Sequence, residues 1–182
     1  MISLKPLTPH SPDAALADGL NRRAFPENEY VPMSHMLAGT KDGDMDVLGV
    51  YEEERFSGFM VMRRRERLAY VCFFAIMEEA RCRGVGGAAL RLLQRYYPGC
   101  QIVVDFEAVD DGASNAAQRR RRRAFYLRSG FLPTGWYAYY SETEFEIVCS
   151  EAAFDLQSFS DMFAAIHQAY PDFDPKIYQK TT

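Results

Sequence analysis

Apolar and polar positions alternate over residues 2–7, which predicts a first strand at a sheet edge. Ser11-Pro12-Asp13 offers Ser for an N-cap, Pro for the first helical position and an acid for the first turn. A helix is therefore predicted from there to residue 24, with Leu16 and Leu20 one turn apart. Residues 25–32 form a loop, 33–37 a short helix and 41–44 a turn. Three strands follow, at residues 46–52, 57–62 and 68–77, joined by short charged segments. Turns this short and polar predict antiparallel hairpins. The third run, containing Tyr70-Val71-Cys72-Phe73-Phe74-Ala75-Ile76, is apolar nearly throughout, the mark of a central strand covered on both faces.

Residues 88–97 carry Ala89, Leu92, Leu93 and Tyr96 on one helical stripe, and Pro98-Gly99 stops them. Residues 101–106 are a buried strand, and a helix between two apolar strands predicts a right-handed βαβ unit. Asn115 is a candidate N-cap, with Gln118 at the third helical position, for a helix that ends at Ser129. Gly130 stands where a left-handed C-terminal glycine belongs. Strands near residues 135–140 and 144–149 come next. Leu156, Phe159, Phe163, Ile166 and Tyr170 recur three and four apart, an amphipathic helix, and residues 171–182 are a tail for Phe173 and Tyr178 to anchor. With no internal repeat and no flexible linker, residues 1–150 read as one domain, and 151–182 as a helix and tail packed on it.

Composition narrows the function classes. The net charge is −4 and the pI about 5.4, which speaks against nucleic acid or an anionic membrane as a partner of the whole chain. No apolar run has the roughly 18 residues that a membrane span needs, and the N-terminus does not read as a signal peptide. Cys72, Cys82, Cys100 and Cys149 are scattered, with no metal spacing among them or the three histidines, so reduced thiols, a cytoplasmic location and no metal are expected.

Candidate chemistry begins at Arg81-Cys82-Arg83-Gly84-Val85-Gly86-Gly87, between an apolar strand and a helix start. Amides at a helix N-terminus lack intrahelical partners and carry the positive end of the dipole, so they suit phosphate. Glycines allow close approach and positive φ. The second conspicuous run is Arg119-Arg120-Arg121-Arg122-Arg123. On a helix five consecutive residues point all round the axis, so the run is not one binding face. Arg119, Arg122 and Arg123 share a side with Tyr126, and a solvated helix face explains the run equally well.

Arg81-x-x-Gly84-x-Gly86, followed by Phe125-Tyr126-Leu127-Arg128-Ser129-Gly130-Phe131, resembles the two signatures of the GNAT family of N-acetyltransferases, in the right order and context over residues 1–149. The resemblance implies an α/β (α+β) fold: one mixed, mostly antiparallel twisted sheet with helices on both faces, here with an added C-terminal helix. It implies acetyl-CoA as cosubstrate, its diphosphate on the backbone of Cys82, Arg83, Gly84, Val85, Gly86 and Gly87 after Arg81. The pantetheine arm would pair near Ala75 and Ile76, where the strand splays at a bulge. Tyr126 matches the tyrosine that protonates the departing thiolate, which places Tyr126 toward the cofactor and Phe125 in the core. Arg119, Arg122 and Arg123 are candidates to meet coenzyme A phosphates or an acidic acceptor, Arg119 and Arg123 being assigned to the cofactor; many members carry Asn where Arg119 stands, and that polar contact to the cofactor is missing here.

The acceptor amine must lose a proton before it attacks. The strand before the turn holds no acid, so Glu107 is the first candidate to bind or deprotonate the amine. Glu27 and Glu29 are the second, because the loop between the first two helices walls the acceptor site in this family. Each acid reads equally as a surface charge. The expected reaction is acetyl transfer to a primary amine of a small molecule or peptide by direct attack in a ternary complex. Two rivals stay open: an acyl-CoA sensor without turnover, and an acetyltransferase directed to RNA by the arginine run. The aromatic strands after Gly130 are a candidate homodimer edge.

Overall fold

A computed structural model describes residues 1–27 and 29–180; Asn28, within the predicted loop, and Thr181 and Thr182, within the predicted tail, lie outside the described residues. The chain divides into two compact units, residues 1–64 with 69–98 and residues 65–68 with 99–182. The fold class is the expected one: five α-helices and eight strands among the described residues, with antiparallel pairings throughout each ladder given below.

The first unit holds β1 (Ile2–Pro6), α1 (Ala14–Ala24), α2 (Met33–Gly39), β2 (Met45–Glu52), β3 (Arg55–Arg65), β4 (Leu68–Ile76) and α3 (Val85–Tyr96), with strand order β1-β2-β3-β4. β1 is an edge strand. Leu7 N donates to Val47 O at 2.8 Å and Glu53 N to Met1 O at 2.7 Å, so the odd residues face β2. The nitrogen of Pro6 therefore points off the edge, where a missing N–H costs no ladder bond and blunts strand addition. Along β2, Val47 and Tyr51 join Leu20, Met33, Met36 and Leu37 in the core under α1 and α2. Asp46 faces the other way and accepts from the Tyr97 hydroxyl just past α3 at 2.9 Å. Helices thus cover both faces.

The hairpin from β2 to β3 carries an irregularity. Val50 pairs Gly58 and Tyr51 pairs Phe56, so Ser57 is the extra, bulged residue. Beside it Gly58 lies against the end of β4: a Cβ there would sit 2.4 Å from Ala75 O and 3.1 Å from Ile76 Cα. The bulge in this ladder thus lies on β3, next to the residues where the resemblance places one.

The second unit holds β5 (Gln101–Glu107), α4 (Ala116–Arg128), β6 (Leu132–Tyr140), β7 (Thr143–Cys149), α5 (Leu156–Ala169) and β8 (Lys176–Gln179), with strand order β5-β7-β6-β8. Adjacent residues on β7 point to opposite faces. Glu146 meets Arg123 of α4 at 2.8 Å, whereas Phe145 stacks on Tyr140, whose ring lies 6.3 Å from Phe163 of α5. Phe159 and Phe163 are sealed, each contributing about 2–3 kcal/mol of burial. The hairpin from β6 to β7 turns on Ser141 and Glu142, with φ of 48° and 58°, a pair of left-handed residues that the sequence does not advertise with Asn-Gly.

Several local expectations need correction. α1 starts at Ala14, not at Ser11, because Ser11 Oγ accepts from Thr8 N at 2.9 Å. Leu16 and Tyr96 are exposed; Ala17 and Leu90 take the buried positions. Tyr170 is exposed as the residue ending α5, and Met162 is buried instead. The tail contains a strand: β8 pairs with β6 from Trp136↔Gln179 to Tyr139↔Lys176, so the β6 edge offered for dimerisation is filled by the chain's own C-terminus.

Candidate functional site

The glycine turn is built as the sequence implies. A single 3-10 turn, Glu78–Ala80, leads into Cys82 with φ 60° and Gly84 with φ 82°, and α3 begins at Val85. The helix thus opens three residues earlier than the apolar stripe suggests, putting Gly86 and Gly87 in its first turn. Among the described residues, the N–H groups of residues 82–87 donate to no protein acceptor; the first helical bond runs from Ala88 N to Gly84 O at 3.0 Å. No acid stands in the first turn of α3, so its dipole is not neutralised by its own sequence. Val85, Ala89, Leu90 and Leu93 are buried and hold the helix start in place. This is a set of fixed, unsatisfied donors at a helix N-terminus, which suits a diphosphate.

The side chains around the turn are engaged. Arg81 Nε donates to Ile76 O at 3.0 Å, tying the turn to the end of β4. Arg83 Nη2 reaches Glu52 Oε2 at 2.9 Å. Cys82 is exposed. On β4 the first four residues are buried, while Cys72, Phe73, Phe74 and Ile76 are only half-buried, so the strand is less covered toward its C-terminal end than its composition suggests. Phe73 packs edge-on against Phe25 at 5.1 Å, at the start of the loop after α1. Asn21 Nδ2 pins that loop by donating to Val31 O at 2.8 Å; its own Oδ1 is buried without a partner. On the loop, Glu27 is exposed and Glu29 half-buried, with Glu29 N donating to Pro26 O.

The second unit brings Glu107, Arg119, Arg122 and Arg123 into use, but with one another and with acids. Glu107 Oε1 faces Arg119 Nη2 at 2.9 Å, Oε2 faces Arg122 Nη1 at 2.9 Å, and Asn115 Nδ2 contacts both oxygens. Arg119 also donates to Asn115 Oδ1 and Ala108 O. Asn115 does occupy the N-cap position, but its side chain serves this cluster instead of capping. Arg123 is held by Glu146, a carboxylate only 5% exposed, and Arg120 pairs with Asp111. Four of the five arginines are thus bound to acids, and the run does not form a free cationic face. Glu107 itself is engaged, since each of its oxygens serves a guanidinium group. Glu107→Ala is expected to destabilise the chain by about 2 kcal/mol in urea unfolding, by leaving two partly buried cations unpaired. An unchanged midpoint would contradict the clamp.

Tyr126 is more covered, and Phe125 less covered, than their assignments toward the cofactor and the core imply. Tyr126 is buried, stacked on Phe106 at 5.0 Å and edge-on to Phe131 at 6.0 Å, while Phe125 is half-buried. Gly130, with φ 97°, closes α4 as expected: Gly130 N donates to Leu127 O and Phe131 N to Tyr126 O, the paired bonds of a Schellman end. Burial pushes the Tyr126 phenol up to about 12, with Arg122 opposing and Asp105 adding. Among the described residues its hydroxyl has no hydrogen-bond partner; yet it is not sealed, since the sealed unpaired side-chain atom is that of Asn21.

Sequence reasoning missed Gly58, Glu52 and Glu146. A glycine inside a strand run signals close backbone approach, whereas Glu146 alternates with Phe145 after Glu144 as a solvent-facing acid would, and so gives no sign of its burial. Among the described residues no group of His, Cys, Asp and Glu is arranged to hold a metal, and no helix is long and apolar enough to cross a membrane.

Curated proteins give no significant match by sequence. Among solved structures, a GNAT-family protein from Bacteroides thetaiotaomicron superposes with a TM-score of 0.74 at 18% identity, covering 94% of this chain and 99% of that one. NAA60 from Arabidopsis thaliana in complex with acetyl-CoA gives 0.60 at 15% identity, covering 82% and 97%. An aminoglycoside 6′-N-acetyltransferase complexed with coenzyme A gives 0.64 at 12% identity, covering 84% and 98%. At these identities the likeness shows the fold. The family model for GNAT acetyltransferases matches residues 15–131, spanning both the glycine turn and the Phe125–Phe131 signature, and the chain therefore belongs to the acetyltransferase (GNAT) family.

Proposed function

We propose that the protein transfers an acetyl group from acetyl-CoA to a primary amine by direct attack. The observation that carries this reading is the row of unpartnered amides at residues 82–87 in a chain of this family. They fit the coenzyme A diphosphate, with Gly84, Val85, Gly86 and Gly87 supplying the helix-start donors and Cys82 and Arg83 the turn. Ile76, at the end of β4, is assigned to the pantetheine arm. Two of the structural relatives hold acetyl-CoA or coenzyme A, which supports the same cosubstrate here.

Acetyl-CoA supplies the activated acyl carbon. The amine nitrogen forms a bond to that carbon, the carbon–sulfur bond breaks, and the electron pair leaves on sulfur. The attacking nitrogen gives a proton to water or to a loop carboxylate, for which Glu27 and Glu29 are the candidates now that Glu107 is occupied. The thiolate takes a proton from Tyr126, which solvent then restores. Burial, which pushes the phenol up to about 12, keeps Tyr126 protonated across the neutral range but makes it a weaker acid toward the thiolate, so its part in the reaction rests on its match to the family signature. Tyr126→Phe is expected to lower kcat by about 10²-fold with the KM for acetyl-CoA little changed. Full turnover in that variant would remove Tyr126 from the reaction.

A second reading, an acyl-CoA sensor without turnover, draws on the occupied state of Glu107. Purified protein, acetyl-CoA and a panel of primary amines separate the two. Thiol release above the amine-free rate supports transfer; tight coenzyme A binding with no release across the panel supports the sensor.

A further inference from the structure

Arg83 stands between two left-handed residues, Cys82 and Gly84, at the mouth of the amide row. Its guanidinium is turned back onto Glu52, the last residue of β2. Arg83 Nη2 contacts both carboxylate oxygens, at 3.0 and 2.9 Å, and Nη1 lies 3.5 Å from Glu79 O. The neighbouring acids have cations of their own: Glu54 pairs with Lys5 and Glu79 with Arg55. Glu52 is paired with Arg83, half-covered at 29% side-chain exposure, and it holds the cation carried by the turn itself. Arg81, the other basic residue of the turn, gives its Nε to Ile76 O.

An anion arriving at the amides would gain most from Arg83, and Glu52 competes with it for that group. We propose that Glu52 sets the affinity of the turn for the cosubstrate diphosphate by holding Arg83 away from it. The inference rests on the acetyl-CoA reading and adds a chain-specific regulator to it. Glu52 acts through Arg83, so it is a positioning residue, and its effect depends on charge.

The test is titration calorimetry with coenzyme A on the wild type, Glu52→Gln, Arg83→Gln and the double variant, at low and high salt. Glu52→Gln is expected to bind about fivefold more tightly at low salt, with the gain fading toward 1 M salt, where charges a few ångströms apart are screened. Arg83→Gln is expected to bind about tenfold more weakly, and the double variant to resemble Arg83→Gln. Glu52→Asp should return the affinity toward that of the wild type. Unchanged or weaker binding in Glu52→Gln, or additive effects in the double variant, would overturn the proposal. Weaker binding with a lower melting temperature would make Glu52 a structural support of the turn. A wild type that does not bind coenzyme A at all would overturn the acetyl-CoA reading as well, so the two failures are distinct.

Discussion

Gly58→Ala is expected to lower the melting temperature by about 5–10 °C, a loss of about 2–3 kcal/mol for a chain of this size. The added methyl would stand 2.4 Å from Ala75 O, 2.8 Å from Ile76 Cδ1 and 3.1 Å from Ile76 Cα. The first and last of these are backbone atoms, which cannot rotate away as a flexible side chain would. The neighbourhood is already constrained, because Ser57 is bulged and Ser57 O accepts from Met77 N at 2.9 Å. To admit the methyl, β3 must move from the end of β4. That end leads into the glycine turn, to which it is tied by the bond from Arg81 Nε to Ile76 O. Coenzyme A affinity should therefore fall together with stability. Thermal melts and calorimetry on the same sample check both, and a variant that melts like the parent would show that the two strands are not in the contact described.

Gly84→Val should separate binding from folding. Gly84 has φ 82°, a region that a β-branched residue enters only with strain of about 1–3 kcal/mol, and no atom within 4 Å would meet a Cβ there. The penalty is therefore conformational, and the chain will relieve it by turning the backbone. That rotation redirects the amides of the turn. Losing two charge-assisted donors to a diphosphate should weaken coenzyme A by about 10²-fold. Gly99 offers the control, since it has φ 77°, also meets nothing within 4 Å, and lies beyond the far end of α3. Gly99→Val carries the same backbone strain and should leave coenzyme A affinity unchanged. Equal losses in both variants would mean that strain, not the position of the amides, decides the result.

What could be read from the chain in advance depended on how local the physics was. The turn at Gly84 and the helix end at Gly130 were legible because a positive φ nearly requires glycine, and the residue alone states the conformation. The charged hairpins after β2 and β3 were legible from polarity. The roles of the arginines were not, because their partners come from elsewhere: Glu107 lies 15 residues before Arg122, and Glu146 lies 23 residues after Arg123. Helical geometry showed which arginines share a side with Tyr126 but gave no sign of the acids opposite them. How deeply Phe125 and Tyr126 would each be packed was not legible for a related reason. Two adjacent helix positions differ by about 100°, and which of them faces the sheet is decided by Phe106, the ring on which Tyr126 stacks. The helix start at Ala14 escaped because Ser11, a good cap by type, spends its hydroxyl on the turn before it. β8 escaped because its four residues pair with β6, and pairing of that kind leaves little trace in a short segment.

Amide hydrogen exchange resolved by residue, with and without saturating coenzyme A, tests the central claim most directly. The free chain should exchange fast at the N–H groups of residues 82–87, because none of the described residues accepts from them. With coenzyme A bound, those amides should slow by at least about tenfold, while Ala88, already bonded to Gly84 O, changes much less. Coenzyme A that binds and leaves residues 82–87 exchanging as before would contradict the assignment of the diphosphate to the turn.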